Sequence, residues 1–359
     1  MNDIYVLDQS FTLKGIIDSY ESVIWRPSYS EVGDFEIYLG ATVERINLLR
    51  QNYYVVRSSD ITVENGVTTY KRVMVIKNIE LTTNVEDGDY LTVTGRELKF
   101  LLHSRIVWKM TTLNGTAENA IRTLVNQNAI NPTDSKRVIP TLRLAAAIGL
   151  TDSIEMQVTG NYLDDTITKI CTTYNYGWDV YISNGALVFE LYMGLDRSYG
   201  QSDRPYVVFS DDFDNLYNTD YQLNTEEYAN CTLIGGEGEG AERKYTSVGT
   251  NNSGLNRYEV FTDARDISSD GEDETTIPLA AYLLLLQQRG RENLAELAYT
   301  EGFSGEVLSN VAFKYGKDFY IGDMVTVINS YGISKNVRVL SAIESEDQSG
   351  TKLIPQFNI

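Results

Sequence analysis

The sequence predicts a mainly β protein of the α+β class, with two small β-barrel domains, an α+β insert between them and one long helix near 278–300. Short apolar runs separated by Gly and Asn turns fill both ends of the chain, as in small barrels. Two segments between them have the apolar spacing of helices, and a hairpin signal follows. With 359 residues, the chain also exceeds the ~250 residues at which one core stops growing.

The composition describes a folded chain with a strongly acidic surface. A hydrophobic fraction of 42% excludes a disordered tail, and no apolar run reaches the ~20 residues of a membrane span. The formal charge of -20 repels nucleic acid phosphates and anionic lipids, so we expect no specific nucleic-acid binding and no membrane binding. The 25 tyrosines suit wet protein interfaces. The N-terminus carries no secretion signal, so we expect synthesis and assembly in the host cytoplasm.

Residues 1–98 are predicted to form the first β-barrel domain. Apolar runs predict strands near 4–7, 23–25, 35–39, 53–56, 73–79 and 90–93, with turns near 64–66 and 86–89. In the third run, Phe35, Ile37 and Leu39 share one strand face and Glu36 faces the other way. Residues 41–50 have the spacing of one short helix.

Residues 99–200 are predicted to form the α+β domain. One helix is expected from Asn114 to about 125, and it should end before Asn131-Pro132. A second helix is expected over 162–173, which makes Cys171 a core thiol; Cys231 is read in the same way, without a disulfide. Two alternating strands then flank Asn184-Gly185, the signature of a type I′ hairpin turn.

Residues 201–359 are predicted to form the second β-barrel domain, with a helical insertion at 276–302. Strands are expected near 206–209 and 231–234, before a Gly-rich loop or bent strand at 235–240. Pro278 then opens a long helix that runs to about 299. The chain closes with strands expected at 307–313, 324–328, 337–343 and 353–357.

The single histidine, His103, is the only candidate base for a catalytic triad, and the chain has no Gly-x-Ser-x-Gly nucleophile motif. We interpret His103 as a surface or satisfied core histidine. The acid pairs Asp211-Asp212, Asp164-Asp165 and Glu226-Glu227 could in principle hydrolyse glycosides, but in a chain with fifty acids such pairs are mostly just exposed.

Two further motifs are weak. The run Gly235 to Gly240 lacks dinucleotide spacing and a following Lys, so it fits a bulged or turning strand better than a phosphate cradle. The acidic segment 263–274 resembles the start of a calcium loop, but Ile277 stands where a bidentate Glu is expected. The residues of that calcium reading are Asp266, Ser268, Asp270, Gly271, Glu272, Asp273 and Glu274. A solvated acidic loop before a helix is the preferred interpretation, and no catalytic, cofactor-binding or metal-binding residue is predicted.

Several segments together resemble a family of siphophage and prophage tail proteins related to baseplate hubs. These are Ser22-Val-Ile-Trp-Arg-Pro-Ser-Tyr-Ser-Glu-Val-Gly-Asp-Phe-Glu-Ile-Tyr-Leu, Leu101-Leu-His-Ser-Arg-Ile-Val-Trp, Asn114-Gly-Thr-Ala-Glu-Asn-Ala-Ile-Arg, Tyr315-Gly-Lys-Asp-Phe-Tyr-Ile-Gly-Asp-Met-Val-Thr-Val and Arg338-Val-Leu-Ser-Ala-Ile. The matching segments lie at both ends and in the middle of the chain. Gly33 and Gly322 are interpreted as turn positions, and Asp323 lies at the start of a strand.

The resemblance implies a structural virion protein: a homotrimeric tail hub whose two barrels per chain alternate around a ring. That ring would join the tail tube, or a distal tail protein, to a tail tip or spike protein, and DNA would pass through its lumen. The family implies no enzyme activity and no cofactor. The alternative is a glycan-binding or glycan-hydrolysing β-rich protein that uses Trp25, Trp108 or Trp178 to stack on sugars. Trp178, however, lies in an alternating strand and is interpreted as a core residue. A third possibility is an effector enzyme that uses His103.

Overall fold

The computed structural model describes residues 2–86, 88–271, 275–307 and 313–358. The first hundred residues form nine strands and the helix α1 (Val43–Leu48). The strands are β1 (Ile4–Leu7), β2 (Leu13–Ile17), β3 (Ser22–Arg26), β4 (Asp34–Gly40), β5 (Tyr54–Arg57), β6 (Ile61–Glu64), β7 (Val67–Tyr70), β8 (Met74–Asn84) and β9 (Gly88–Glu97). The strands and the short helix predicted here are confirmed, while β2, β6 and β7 were not predicted.

Local sequence explains these elements. Phe35, Ile37 and Leu39 are buried on one face of β4, as their period of two requires. Asn65 and Gly66 both have positive φ, at 50° and 78°, so they turn the chain tightly between β6 and β7. The hydroxyl of Thr42 accepts a hydrogen bond from the Arg45 amide at 3.1 Å and caps α1.

The middle of the chain contains the helices α2 (Ala117–Val125) and α3 (Leu163–Tyr174). Its strands are β10 (Thr111–Thr116), β11 (Arg143–Leu144), β12 (Ser153–Val158), β13 (Gly177–Ser183) and β14 (Ala186–Tyr192). The predicted hairpin is confirmed, because Asn184 and Gly185 both have positive φ between β13 and β14. The second predicted helix is also confirmed as α3, and Cys171 is buried in it.

The predicted start of the first helix is wrong. Asn114 lies in β10, where it pairs with Glu155 of β12, and α2 begins only at Ala117. Thr116 is the cap: its hydroxyl accepts a hydrogen bond from the Asn119 amide at 3.3 Å. Pairing with β12, which lies about forty residues downstream, holds the preceding residues extended. After α2 the helix widens into a π turn, Asn126–Ile130, and ends before Asn131-Pro132 as predicted.

The last region contains the long helix α4 (Leu279–Glu296), which confirms the prediction, with Pro278 at its N-cap. Its strands are β15 (Val208–Ser210), β16 (Leu216–Asn224), β17 (Cys231–Gly235), β18 (Tyr245–Val248), β19 (Glu259–Asp263), β20 (Thr300–Val307), β21 (Met324–Ile328), β22 (Ser334–Asp347) and β23 (Gly350–Asn358). Strand β21 has the predicted bounds. The strand predicted at 307–313 meets the structure only at its ends, because residues 308–312 lie outside the described part.

Thirteen strands from both ends of the chain share one sheet. Its main path runs β16-β20-β23-β22-β3-β4-β9-β8-β5-β1-β2, and β21 joins it through β22 while β15 pairs with β21. The two ends of the chain meet where β22 pairs with β3, with Glu344 opposite Trp25. This path is open among the described strands, so the division into two barrels, and the predicted domain bounds, stay predictions.

The remaining described strands form three smaller sheets. The strands β11-β14-β13-β7-β6 form a five-stranded sheet, so the hairpin β6–β7 from the first region packs into the middle one. The pair β10-β12 forms a second sheet with α2 and α3 nearby, and β18-β17-β19 forms a third that packs against α4. Within the described part of the chain, buried apolar residues form four clusters, one of which lies between α4 and the third sheet around Tyr282 and Leu286.

Candidate functional site

His103 lies beside Asp164, and its ring has hydrogen-bonding and stacking partners within the chain. Its Nδ1 is 3.0 Å from both carboxylate oxygens of Asp164, and its ring stacks between Phe100 and Tyr162. Burial raises the pKa of Asp164, and the attraction of His103 partly offsets that effect. Ser104 donates its hydroxyl hydrogen to the Leu101 carbonyl instead of approaching the imidazole. The interpretation of His103 as a satisfied histidine fits this geometry.

His103, Asp164 and Asp165 form the one His/Cys/Asp/Glu group in the described residues that is compact enough to hold a metal ion. Both carboxylates lie in the first turn of α3. The helix dipole favours negative charge there and disfavours a cation, so the acids need no metal to explain them.

The acidic segment 263–274 is only partly described. Asp266 accepts two hydrogen bonds from Arg289 of α4, at 3.0 and 2.8 Å, and its pKa is lowered because this pairing outweighs the effect of burial. Glu272, Asp273 and Glu274 lie outside the described residues. The first residue of the candidate calcium loop is therefore already paired with an arginine.

The Gly-rich run 235–240 ends a strand and forms a loop. Arg243 donates hydrogen bonds to the carbonyl oxygens of Gly235 and Gly236, while the Glu237 carboxylate accepts from Ser269. Gly238 and Gly240 have positive φ, at 101° and 52°. Its glycines turn the chain, as the structural interpretation predicted.

The three tryptophans differ in exposure. Trp25 and Trp178 are fully buried, whereas Trp108 is 63% exposed. The Trp178 indole donates a hydrogen bond to the Ser30 carbonyl oxygen, and the Trp25 indole donates to the Arg72 carbonyl oxygen. Only Trp108 can therefore offer its ring to another molecule. The acid pairs behave differently too, since Asp164 is buried beside His103 while Glu226 and Glu227 are exposed.

A partly buried ion-pair network, which we call the junction cluster, joins the two ends of the chain. It consists of Arg57, Asp60, Arg72 and Glu344, two charges of each sign. Arg57 lies 3.0 Å from Asp60 and 2.7 Å from Glu344, and Arg72 pairs with the same two acids. Burial alone would lower the pKa of Arg57, but the attraction of Asp60 and Glu344 raises it. The cluster lies where β22 of the last region meets the first region.

A cavity of about 550 Å³ opens beside the junction cluster and is lined by residues of all three regions. Asp179 of β13 lies in its wall, near the pairs Lys71–Glu190 and Lys99–Glu97. Burial raises the pKa of Asp179 to about 7, although Lys71 and Lys99 act in the opposite direction. The cavity thus lies at an interface between the regions that is lined by charged residues.

Asp323 connects the middle region to the last one. Its buried carboxylate accepts hydrogen bonds from the Leu195 amide at 2.7 Å, the Arg197 guanidinium at 2.8 Å and the Tyr320 amide at 3.0 Å. The preceding Gly322 has φ +93°, a conformation that disfavours other residues. Gly322 thus turns the chain before β21, and Asp323 lies at the entry of that strand, both as predicted. Asp323 has an additional tethering role.

Gly33 is required for close packing of the backbone. A Cβ there would lie 2.0 Å from the Arg26 carbonyl oxygen, and the Gly33 amide donates to the Glu97 carboxylate at 2.8 Å. The turn before β4 therefore tolerates no side chain.

Off the main path of the thirteen-stranded sheet, β15 pairs with β21 alone among the described residues. The main path itself ends in two strands that also pair with a single neighbour there: β2 with β1, and β16 with β20. Both carry exposed apolar side chains, with Leu13 47% and Ile16 45% exposed on β2 and Leu223 55% exposed on β16. Unpaired backbone groups at sheet edges form a template for another strand.

The fold is that of phage and prophage tail proteins. The chain is similar to a tail protein from Neisseria meningitidis MC58, with a TM-score of 0.59, 14% identity and coverage of 100% of this chain and 96% of the other. It is also similar to the 43 kDa tail protein of prophage MuSo2 from Shewanella oneidensis, with a TM-score of 0.56, 10% identity and coverage of 99% and 97%. A third similar structure is prophage tail protein gp18 from Listeria monocytogenes EGD-e, with a TM-score of 0.50 and 14% identity. The match covers 99% of this chain and 94% of the other.

The family model of the Siphovirus ReqiPepy6 Gp37-like proteins matches residues 3–357. The chain therefore belongs to this siphovirus family, and the predicted resemblance to siphophage and prophage tail proteins is confirmed. No curated protein matches the chain at a significant level. Among the helices described, none is both long and apolar enough to cross a membrane.

Sequence reasoning missed the junction cluster and the groove of which Trp108 forms one wall. Arg57 and Glu344 lie 287 positions apart, and no local pattern connects them. The one available signal was that Trp108, unlike Trp178, follows no alternating strand pattern.

Proposed function

We propose that the chain is a structural tail hub, a homotrimeric ring between the tail tube, or a distal tail protein, and a tail tip or spike protein. The observation that carries this proposal is that the main path of one continuous sheet ends in two open edges, β2 and β16, which both carry exposed apolar side chains. A chain with two different free edges can make head-to-tail contacts, and such contacts close into a ring when the rotation permits. Family membership supports the setting of a virion tail.

In this proposal each chain contributes two barrel-like units to the ring, with bounds near the predicted 1–98 and 201–359. The charge of -20 suits a ring through which DNA passes without binding, because like charges repel. We infer no enzyme activity. The Nδ1 atom of His103 lies within hydrogen-bonding distance of the Asp164 carboxylate. The family comparisons favour a structural role over the glycan-hydrolysing alternative.

The test is to place charge on one sheet edge. We expect the double substitution Leu13→Lys, Ile16→Lys on β2 to convert rings to monomers, because like charges on an edge strand block strand addition. Light scattering gives the mass and circular dichroism checks the fold. Leu255→Lys is the matched control, since Leu255 is 96% exposed and lies outside both edges. An unchanged ring in the folded double variant would refute the role of this edge.

A further inference from the structure

A groove in the middle region is lined by residues outside the edge strands β2 and β16. It has a volume of about 760 Å³ and lies between the segment 108–111, the π turn Asn126–Ile130 and the loop 131–137. Trp108 lies in its wall with 63% of its surface exposed. A large aromatic ring left open to solvent beside a groove is typical of a binding surface.

The groove is held in place before any partner arrives. The Trp108 amide donates to the side-chain oxygen of Asn128 at 3.1 Å, and Asn128 is itself buried and donates to the Leu124 carbonyl oxygen at 3.0 Å. The guanidinium carbon of Arg137 lies 4.9 Å from the centre of the Trp108 ring. Fixed side chains lose little conformational entropy on binding, which favours affinity.

The groove is basic on a strongly acidic protein. Lys109 and Arg137 line it and Arg105 lies behind them, and within the described residues none of the three forms an ion pair. The guanidinium of Arg105 donates to the Arg137 carbonyl oxygen at 2.5 Å, and that of Arg137 donates to the Ile106 carbonyl oxygen at 2.6 Å. Burial, and after it the neighbouring Arg137, lower the pKa of Arg105. Asp134 is the one acid in the lining.

This chemistry indicates the occupant. Cations without carboxylate partners attract carboxylates, and Trp and Arg are enriched among residues that dominate protein interfaces. The overall charge of -20 opposes nucleic acid. We propose that the groove binds an acidic segment of a neighbouring tail protein, in which an aromatic side chain stands among carboxylates. The inference rests on the proposed function for the identity of the neighbour as a tail protein.

The chain itself supplies a probe with this chemistry. Its turn at Asp211–Phe213 continues into Asp214, and Phe213 is 57% exposed among these acids. A peptide of residues 210–215, Ser-Asp-Asp-Phe-Asp-Asn, is titrated into the full chain while tryptophan fluorescence is recorded. Because Trp25 and Trp178 are buried, we expect a change in emission to come from Trp108.

We expect a saturable change with a Kd near or below about 1 mM. The same peptide with Asn in place of each Asp should bind at least about fivefold more weakly, as should Arg137→Gln and Lys109→Gln, since each removes a charge pair worth about 1 kcal/mol. Arg143→Gln is the matched control, because Arg143 is exposed and outside the groove. Circular dichroism checks that each variant folds. If the Arg137 variant does not fold, the Lys109 variant still tests whether the groove binds the peptide.

Several results would overturn the inference: no saturable change up to about 5 mM peptide, equal binding of the amide peptide, or an equal loss in the Arg143 variant. Tighter binding of polyphosphate or of maltohexaose would overturn it as well, because the occupant would then not be an acidic protein segment. Light scattering on the same samples separates the two proposals. Rings without peptide binding refute only this inference, and monomers with groove-dependent peptide binding refute only the ring.

Discussion

The junction cluster and the Trp108 groove are both rich in charge, but they differ in balance and exposure. In the junction cluster two arginines face two acids, and both Arg57 and Asp60 are buried. In the groove, Lys109 is exposed, and neither Lys109 nor Arg137 has an acidic partner among the described residues. Matched buried charges hold parts of one molecule together, whereas unmatched exposed charges are free for another molecule.

The junction cluster therefore contributes to stability, and the groove to binding. We expect substitutions in the charge networks between the regions to lower the free energy of unfolding, and substitutions in the groove to leave it almost unchanged.

The largest effect is expected from Asp60→Asn. The substitution removes one of the two negative charges that face Arg57 and Arg72, and leaves buried positive charge without compensation. We expect a loss of about 3 kcal/mol in the free energy of unfolding, measured by urea denaturation. Asp18→Asn, at an exposed site, serves as the control. A loss below about 1 kcal/mol would show that the cluster does not hold the two ends of the chain together.

A smaller loss is expected from Asp323→Asn. An amide keeps one acceptor oxygen, but it loses the charge that pairs with Arg197 and leaves one of the amides of Leu195 and Tyr320 without its acceptor. We expect about 2 kcal/mol by the same measurement. Asp203→Asn, on the exposed neighbouring loop, should change nothing. Equal stability of the two variants would contradict the tethering role of Asp323.

The next effect is on the pH dependence of stability, through Asp179 in the wall of the cavity between the regions. Because the pKa of Asp179 is raised from 3.8 to about 7, the folded chain holds a proton there that the unfolded chain has lost. Stability from this site is therefore present at low pH and falls as the pH rises from about 4 to about 7. Asp179→Asn should flatten that decline in denaturation curves recorded across this range. An identical decline in both proteins would mean that Asp179 titrates as an ordinary exposed acid.

The smallest effect on stability is expected in the groove. Lys109→Gln should change the free energy of unfolding by less than about 0.5 kcal/mol, because Lys109 is exposed and unpaired in the described part of the chain. Thermal and urea denaturation would measure it. A loss above about 1 kcal/mol would show that Lys109 stabilises the fold as the junction cluster does. That result would contradict the distinction between a stabilising cluster and a binding groove.

Elements with strong local signals could be predicted from the sequence. The hairpin at Asn184-Gly185, the helix α3 and the strand β21 follow from turn chemistry and periodicity within a few residues. Strands β10, β16 and β20 could not be predicted, because partners far along the chain keep them extended. Asn114 shows this most clearly, since a capping-type residue became part of a strand.

The charged sites show the same limit. The junction cluster brings together residues 57, 60, 72 and 344, which only the pairing of β22 with β3 places in contact. The sequence did predict that Cys171 and Trp178 are buried, because both lie on apolar stripes. It could not predict the unmatched charge around Trp108, since pairing of charges depends on tertiary contacts.

The most direct test of the hub account is the mass of the intact chain in solution, by light scattering on a size-exclusion column, with negative-stain images of the same peak. A homotrimeric hub should give a particle of about three times the 40.4 kDa chain mass that appears as a ring. A monomer at concentrations of about 100 μM, or a closed dimer without a central opening, would contradict it.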